Sequence, residues 1–560
     1  MTEKVKKIYF NIKNKKEIKF VILAIILIAI FCIAITPKSL QNDTFYTIKI
    51  GEHISQYGVD MQDPFSWHED LSYTYPHWLY DLLTYYIYSA FGMAGIYTTT
   101  CILSAILGLS IYFVNKKLAK NQLFSFFITI GAMYLIKAYI AARAQLVTFI
   151  LFIWTIYFIE KFIETKKIRY GIPLLIIPIL IANLHTAVFP FYFVLFLPYI
   201  AEYLCTSFFD IVLYRKISLK LLKLKVKILE KDQKNEEKTN KITKKIEEIQ
   251  IKNEKIKIKR SKNIENPYKV RITNNKNVKW LILIMVIAIF TGLLTPLGNT
   301  PYTYLVKTME GNTTQNINEH LPMTLADEVP VMCTLAIFLA ILIFTKAKIK
   351  LSDLFLICGL GYLMLKTKRQ VSLFAIIGTV VLNRLIMECL KIYVPQSAKK
   401  TRDKTLSIIS ALLITCVMLT FSFKYIKEKK NDQYISESSY PVKACDYILQ
   451  NIDLGNARFY NEYNYGSYMI YRGIPVFIDS RADLYAPEFN GKEDIFMDFI
   501  DTSSIGKFYE DTFKKYNITH VITYENSKTN MIITKSKDKN YKQLYKDKYF
   551  VIYERLNTTK

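Results

Sequence analysis

Cysteine is sparse and scattered. The eight cysteines in 560 residues (Cys32, Cys101, Cys205, Cys333, Cys358, Cys389, Cys416, Cys445) contain no C-x-x-C pair. That excludes a zinc-finger or disulfide framework, and thiols lying mostly in or beside apolar runs act as small buried hydrophobes. Glycine (18) and proline (16) are too few for collagen or a low-complexity linker. There is no G-x-S-x-G, no H-E-x-x-H and no Walker loop. No serine-hydrolase elbow, zincin helix or ATP-driven pump is therefore written in this chain. Charge is also nearly absent from whole segments: Ile18–Thr36 and Val278–Thr295 hold one Lys each.

The chain is 51% hydrophobic yet 22% charged, with a mean hydropathy of +0.16. Only segregation reconciles these figures, and a run near 20 apolar residues matches the roughly 30 Å hydrocarbon core. The sequence predicts a mostly α, polytopic membrane bundle of about eleven helices. The expected spans are 18–36, 92–114, 122–137, 144–160, 168–182, 187–205, 279–296, 329–345, 351–366, 370–388 and 405–424. No A-x-A-like site follows the first run, so it reads as an uncleaved helix.

The net charge of +27 is localised. Residues 1–19 have 7 Lys against 2 Glu, and Arg215–Lys276 has 21 Lys/Arg against 8 Asp/Glu. Tyr425–Lys560 is balanced, 20 against 19. Basic segments 1–19, 115–120, 161–169, 206–278, 346–350 and 391–404 alternate onto one side, which the positive-inside rule makes cytoplasmic. No motif supports nucleic-acid binding. The chain divides into a membrane module with a large first outer loop (1–205, loop 37–91), a basic cytoplasmic helical insertion (206–278), a second membrane module (279–424) and a soluble extracytoplasmic α/β domain (425–560). Within the insertion, Ile242, Ile246 and Ile249 recur at helical spacing, as in a charged helical hairpin or short coiled coil. Pro76–Phe91 is amphipathic and reads as an interfacial helix or as the tilted first half of the next span. In the tail, Ala457–Tyr460, Val476–Ile478, His520–Thr523 and Phe550–Tyr553 read as strands, and Lys443–Asn451 and Ser504–Tyr516 as helices.

Ionisable residues cluster on the outer face, including Asp43, Glu52, His53, Asp60, Asp63, His68, His77 and Asp81 in the first loop. His185 follows Asn183 in an outer turn, and Glu319 precedes His320 in another. Such groups at a membrane boundary mark a site. Lys137, Arg143, Lys366, Lys368 and Arg369 also flank outer turns, against the charge rule. Arg143 and Arg369 suit a lipid phosphate or pyrophosphate, which Arg binds bidentately. Snorkelling to headgroups, or an ion pair with a nearby carboxylate, would hold a cation there as well. Asp43 is the first carboxylate beyond the first span, placed to act as a general base, bind a metal or cap a helix.

These pieces resemble a prokaryotic multi-pass branch of the glycosyltransferase C superfamily. The matching residues are Asp43 with Gly51-Glu52, Asp63-Pro64-Phe65-Ser66, His77-Trp78-Leu79, Arg143-Ala144-Gln145-Leu146, Ala182-Asn183-Leu184-His185 and Thr295-Pro296-Leu297-Gly298. In the tail they are Asn461–Tyr468 and Ile478-Asp479-Ser480-Arg481-Ala482-Asp483. The resemblance implies inverting transfer of a sugar from a polyprenyl-phosphate or pyrophosphate donor to a glycan, lipid or protein acceptor at the outer face of the plasma membrane. It makes Asp43 the catalytic base or metal-binding acid. Glu52, Asp63, His77, Arg143, Asn183, His185, Glu319, Arg369, Asp479 and Arg481 become candidate substrate-binding groups. Many relatives carry an adjacent acidic pair where this chain has Asn42-Asp43; a divalent cation would need Asp63 or Glu319 as its second carboxylate. The competing readings are a lipid-linked-glycan transporter and a non-catalytic envelope assembly protein. No internal repeat of the transporter kind is present.

Overall fold

The computed structural model describes residues 3–208, 221–224, 226, 240–251, 269–273, 275–324, 326, 328–394, 408–536 and 539–556, with side chains from Ile18 onward except at 207, 208 and 408–410. The chain is mostly helical, with a small sheet region near its C-terminus. Helices α1 (Glu3–Ile35), α2 (Asn42–Tyr57), α3 (Trp78–Ala119), α4 (Gln122–Leu135), α5 (Gln145–Thr165) and α6 (Ile168–Leu184) lead into α7 (Phe189–Val194) and α8 (Leu197–Phe208). After the insertion come α9 (Val278–Phe290), α10 (Thr300–Glu310), α11 (Val329–Phe344), α12 (Leu351–Lys366), α13 (Val371–Tyr393) and α14 (Ile408–Glu428). Five segments are long and apolar enough to cross a membrane: Ile18–Ile35, Trp78–Ala119, Gln145–Thr165, Thr186–Thr206 and Lys368–Tyr393. Shorter apolar helices fill Gln122–Leu135, Ile168–Leu184, Val278–Leu293 and Val329–Phe344.

The amphipathic stretch and the span after it are one helix with a break. Gly92 inside α3 takes φ 60° and ψ −156°, a conformation open to glycine, so the chain changes direction between the two parts. Of the expected insertion hairpin, 240–251 is helical and holds Ile246 buried, while most of the rest lies outside the described residues. The insertion returns through β1 (Val270–Arg271), parallel to β2 (Ile349–Lys350).

The tail is not a free-standing layer. Its sheet runs β3 (Phe459–Tyr460), β4 (His520–Tyr524), β6 (Phe550–Arg555), β5 (Tyr541–Lys546), with β3 parallel to β4 and the other pairs antiparallel. The first loop completes it: Leu71, Tyr73 and Tyr75 share one apolar cluster with Tyr460, Phe477 and Val521, and Phe45 shares another with Tyr440 and Tyr468. Trp67 donates its indole N–H to the Phe459 carbonyl at 3.0 Å. The expected strand Val476–Ile478 leaves the sheet for this reason: Val476 bridges Ser66 of the loop instead. The expected helix Ser504–Tyr516 is two helices, Ile495–Ser504 and Tyr509–Lys515, parted where Ile505 is left-handed (φ 69°). Helix α15 (Val442–Asn451) falls where expected, and α16 (Tyr463–Tyr471) is additional. Gly466 lets α16 touch the next segment, because a Cβ there would lie 2.0 Å from the Ile478 carbonyl oxygen.

Candidate functional site

The site is assembled where the loop–tail unit meets the helix ends. Asp43 lies in the first turn of α2, and its Oδ2 accepts from Arg143 Nη2 at 2.8 Å. Arg143 occupies the tight turn between α4 and α5, where its N–H donates to the Ala141 carbonyl at 2.8 Å. Its Nη1 is 3.7 Å from Glu319, and its Nε is buried without a partner. The three side chains remain 20–38% exposed, so the pairing leaves them reachable. Burial lowers the basicity of the guanidinium, and Asp43 and Glu319 more than reverse that. Neighbouring Asn42 donates to the Tyr463 carbonyl at 3.0 Å, tying α2 to α16.

Glu319 and Arg369 are brought together by two single-turn 3₁₀ helices, Asn318–His320 and Lys368–Gln370. Lys368 N–H donates to the Leu321 carbonyl at 3.0 Å, and Tyr139 donates to the Lys368 carbonyl at 2.7 Å. Among the described residues no carboxylate lies within 4 Å of Arg369. Its charge is nevertheless felt nearby. Burial raises the Glu319 carboxyl, but Arg369 and Arg143 bring it below its ordinary range. Burial and Arg369 push the His320 imidazole down to about 4. His185 is lowered by burial first, then by Arg369 and His77. Thr148 Oγ1 meets His185 Nδ1 at 2.8 Å.

A second set adjoins the Asp43–Arg143 pair. His77 Nδ1 is 2.8 Å from both oxygens of Asp81, and His77 Nε2 is 3.2 Å from the Tyr46 hydroxyl. Burial lowers the His77 imidazole, and the Asp81 carboxylate outweighs it, so the net shift is upward. Asn183 is spent on positioning: its Oδ1 accepts from Trp78 at 3.2 Å and its amide donates to the Ile179 and Leu294 carbonyls at 2.8 and 2.9 Å.

Other sequence candidates fall elsewhere. Asp63, Asp479 and Arg481 form a buried cluster of their own. Arg481 Nη1 donates to Asp63 at 2.8 Å, while Nε and Nη2 grip Asp479 at 2.9 and 2.7 Å. Burial raises the Asp63 carboxyl and Arg481 brings it below its ordinary range. Glu52 pairs with Lys49 along α2. Thus Glu319, not Asp63, is the second carboxylate beside Arg143. Tyr46 and Tyr304 carry no signal in the sequence, and Tyr463 and Asp483 stand there only inside the matching motifs, without a role. Tyr304 donates to Asp483, whose other oxygen meets Thr313 Oγ1 at 3.4 Å. Nothing distinguishes Tyr46 and Tyr304 among the 41 tyrosines in the chain.

No three His, Cys, Asp or Glu side chains gather as a metal-binding set among the described residues. With Asp43 held by a guanidinium, this donor set does not fit a divalent cation. No protein-family model matches the chain, and no curated protein matches it.

Proposed function

We propose that the chain is a membrane glycosyltransferase that moves a sugar from a polyprenyl-phosphate or pyrophosphate donor to an acceptor hydroxyl at the outer face. In this reading the four shorter apolar helices and, beyond them, α12 and α14 also cross, giving about eleven spans, with a cytoplasmic N-terminus and an extracytoplasmic loop–tail unit. The observation that carries the reading is the convergence of Asp43, Arg143, Glu319 and Arg369 where helix ends meet that unit. A carboxylate and a cation without a close carboxylate partner suit opposite needs of the reaction. Asp43 receives the proton of the acceptor hydroxyl, a weak nucleophile for which a positioned base contributes roughly 10²–10⁴-fold. The anomeric carbon bonds to that oxygen as its bond to the lipid phosphate breaks. Arg143 and Arg369 hold the phosphate as its charge grows.

The test is transfer from a panel of polyprenyl-phosphate sugars by the purified protein. Asp43→Asn should abolish turnover and keep donor binding. Arg143→Ala and Arg369→Ala should weaken both. Full turnover in Asp43→Asn would move the base to Glu319. An inert wild type that carries substrate across liposomes would make the chain a transporter.

A further inference from the structure

A proton delivered to Asp43 dissolves the 2.8 Å ion pair that holds Arg143 in place. A second station that takes the proton on would restore the pair before the next transfer. Tyr46 stands one helical turn from Asp43, at the i,i+3 spacing that puts two side chains on one face of α2. Its hydroxyl meets His77 Nε2 at 3.2 Å, and the two rings stack with centroids 5.9 Å apart. The other ring nitrogen, Nδ1, is bracketed by both oxygens of Asp81 at 2.8 Å. A carboxylate on one side of an imidazole and a hydroxyl on the other is the arrangement that fixes the tautomer and holds the imidazolium when it forms. The helices are pressed together to make it: Gly51 of α2 abuts the Asp81 backbone so closely that a Cβ would lie 2.1 Å from its carbonyl oxygen.

We propose that Tyr46, His77 and Asp81 form a proton relay that discharges Asp43 after each transfer, an inference that rests on the transferase reading. The proton leaves the Asp43 carboxyl for the Tyr46 oxygen across one bridging water, as the Tyr46 O–H proton passes to His77 Nε2. Tyr46 is unchanged overall, Asp43 regains its charge and its bond to Arg143, and the imidazolium faces Asp81 until water removes the proton. His77 and Tyr46 act on the proton itself; Asp81 is a positioning residue. The charged and titratable groups acting on His77 are Asp81 on its own helix, Tyr46 and Asp43 on α2, Arg143, and the His185 ring 6.4 Å away.

The experiment has a substrate-free arm and a turnover arm. Full-length protein labelled with ¹⁵N-histidine is placed in lipid nanodiscs, and the His77 signal is identified by its loss in His77→Ala. The relay requires neutral His77 to carry its proton on Nδ1, with nitrogen shifts that move in both Tyr46→Phe and Asp81→Asn. A proton on Nε2, or shifts indifferent to Tyr46→Phe, overturns it. In the donor panel, Tyr46→Phe and His77→Ala should each lower kcat by about a hundredfold with KM little changed. Added imidazole should restore His77→Ala, which a structural role would not allow. An inert wild type overturns the transferase reading and removes the relay's task. An active wild type with a fully active Tyr46→Phe overturns the relay alone.

Discussion

At one end of α5, α12 and α13, Arg384 donates to Glu160 at 2.9 Å and to Asp353 at 2.5 Å. Tyr199 also donates to Glu160, at 3.0 Å, and Lys350 stands 3.7 Å away. The three charged side chains in contact are 15% exposed or less. At the other end of the same helices, roughly 22 Å along α5 at 1.5 Å per residue, lie Arg143, Asp43, Glu319 and Arg369. Both regions set arginines and carboxylates at a bundle boundary. The first is closed, because every formal charge has an opposite partner within 4 Å. The second is open: its members are more exposed, one guanidinium nitrogen is unpartnered, and Arg369 has no carboxylate that near among the described residues. Complete compensation clamps helices together; incomplete compensation leaves field to act on a ligand.

The largest expected effect comes from breaking compensation where it is complete. Arg384→Met strands buried Asp353 and leaves Glu160 only Lys350 at 3.7 Å, and loss of one partner of such a cluster costs about 3–5 kcal/mol. Arg481→Met should cost a similar amount and loosen the first loop from the tail, because Asp63 and Asp479 are then buried without a cation. Arg369→Met should cost far less. Thermal unfolding in a single detergent ranks the three, and a large loss for Arg369→Met would erase the contrast.

Acid should act next, on the loop–tail unit. His68 Nε2 donates to the Phe477 carbonyl, 2.9 Å away, among the rings of Trp67, Phe477, Tyr485 and Tyr516. Burial lowers its imidazole from 6.5 to about 4. Between those values the folded unit binds fewer protons than the unfolded chain, so this contribution to stability is full above pH 6.5 and falls away as pH drops towards 4. The midpoint of unfolding followed by tryptophan fluorescence should track that window, and His68→Gln should flatten it.

The smallest effect is expected from deleting Lys220–Lys262 and bridging the ends. The anchors on either side survive: Thr273 donates through its N–H and hydroxyl to Glu202 at 3.0 Å, and β1 stays paired with β2. A monodisperse detergent peak with an unchanged melting temperature is the expected result, with the junction length varied as a control.

The helices were legible because apolar run length alone marks a helix that needs lipid or protein around it. The expected run 351–366 coincides with α12 as a helix, but it is not among the segments long and apolar enough to cross a membrane. Arg143 and Arg369 were legible as exceptions to a charge rule. What could not be read was partnership across the chain. Arg481 reaches Asp63 over 418 residues, and Val476 pairs with the loop and not the sheet, because the first loop and the tail fold as one body. Short-range pattern carries no signal for that. The edge strand Tyr541–Lys546 escaped for a local reason: its alternation is blurred by lysines facing solvent on a sheet edge.

Donor binding tests the central claim most directly. Polyprenyl phosphate is titrated onto the purified wild type, Arg369→Ala, Arg143→Ala and, as a control from the opposite end, Arg271→Ala, whose guanidinium is half exposed beside Glu388. Occupancy is read by native mass spectrometry. The open cluster predicts saturable wild-type binding, at least about tenfold weaker in Arg369→Ala and Arg143→Ala, since a charge-assisted bond to phosphate contributes about 1.5–3 kcal/mol, and unchanged in Arg271→Ala. Equal binding by all four proteins would contradict it.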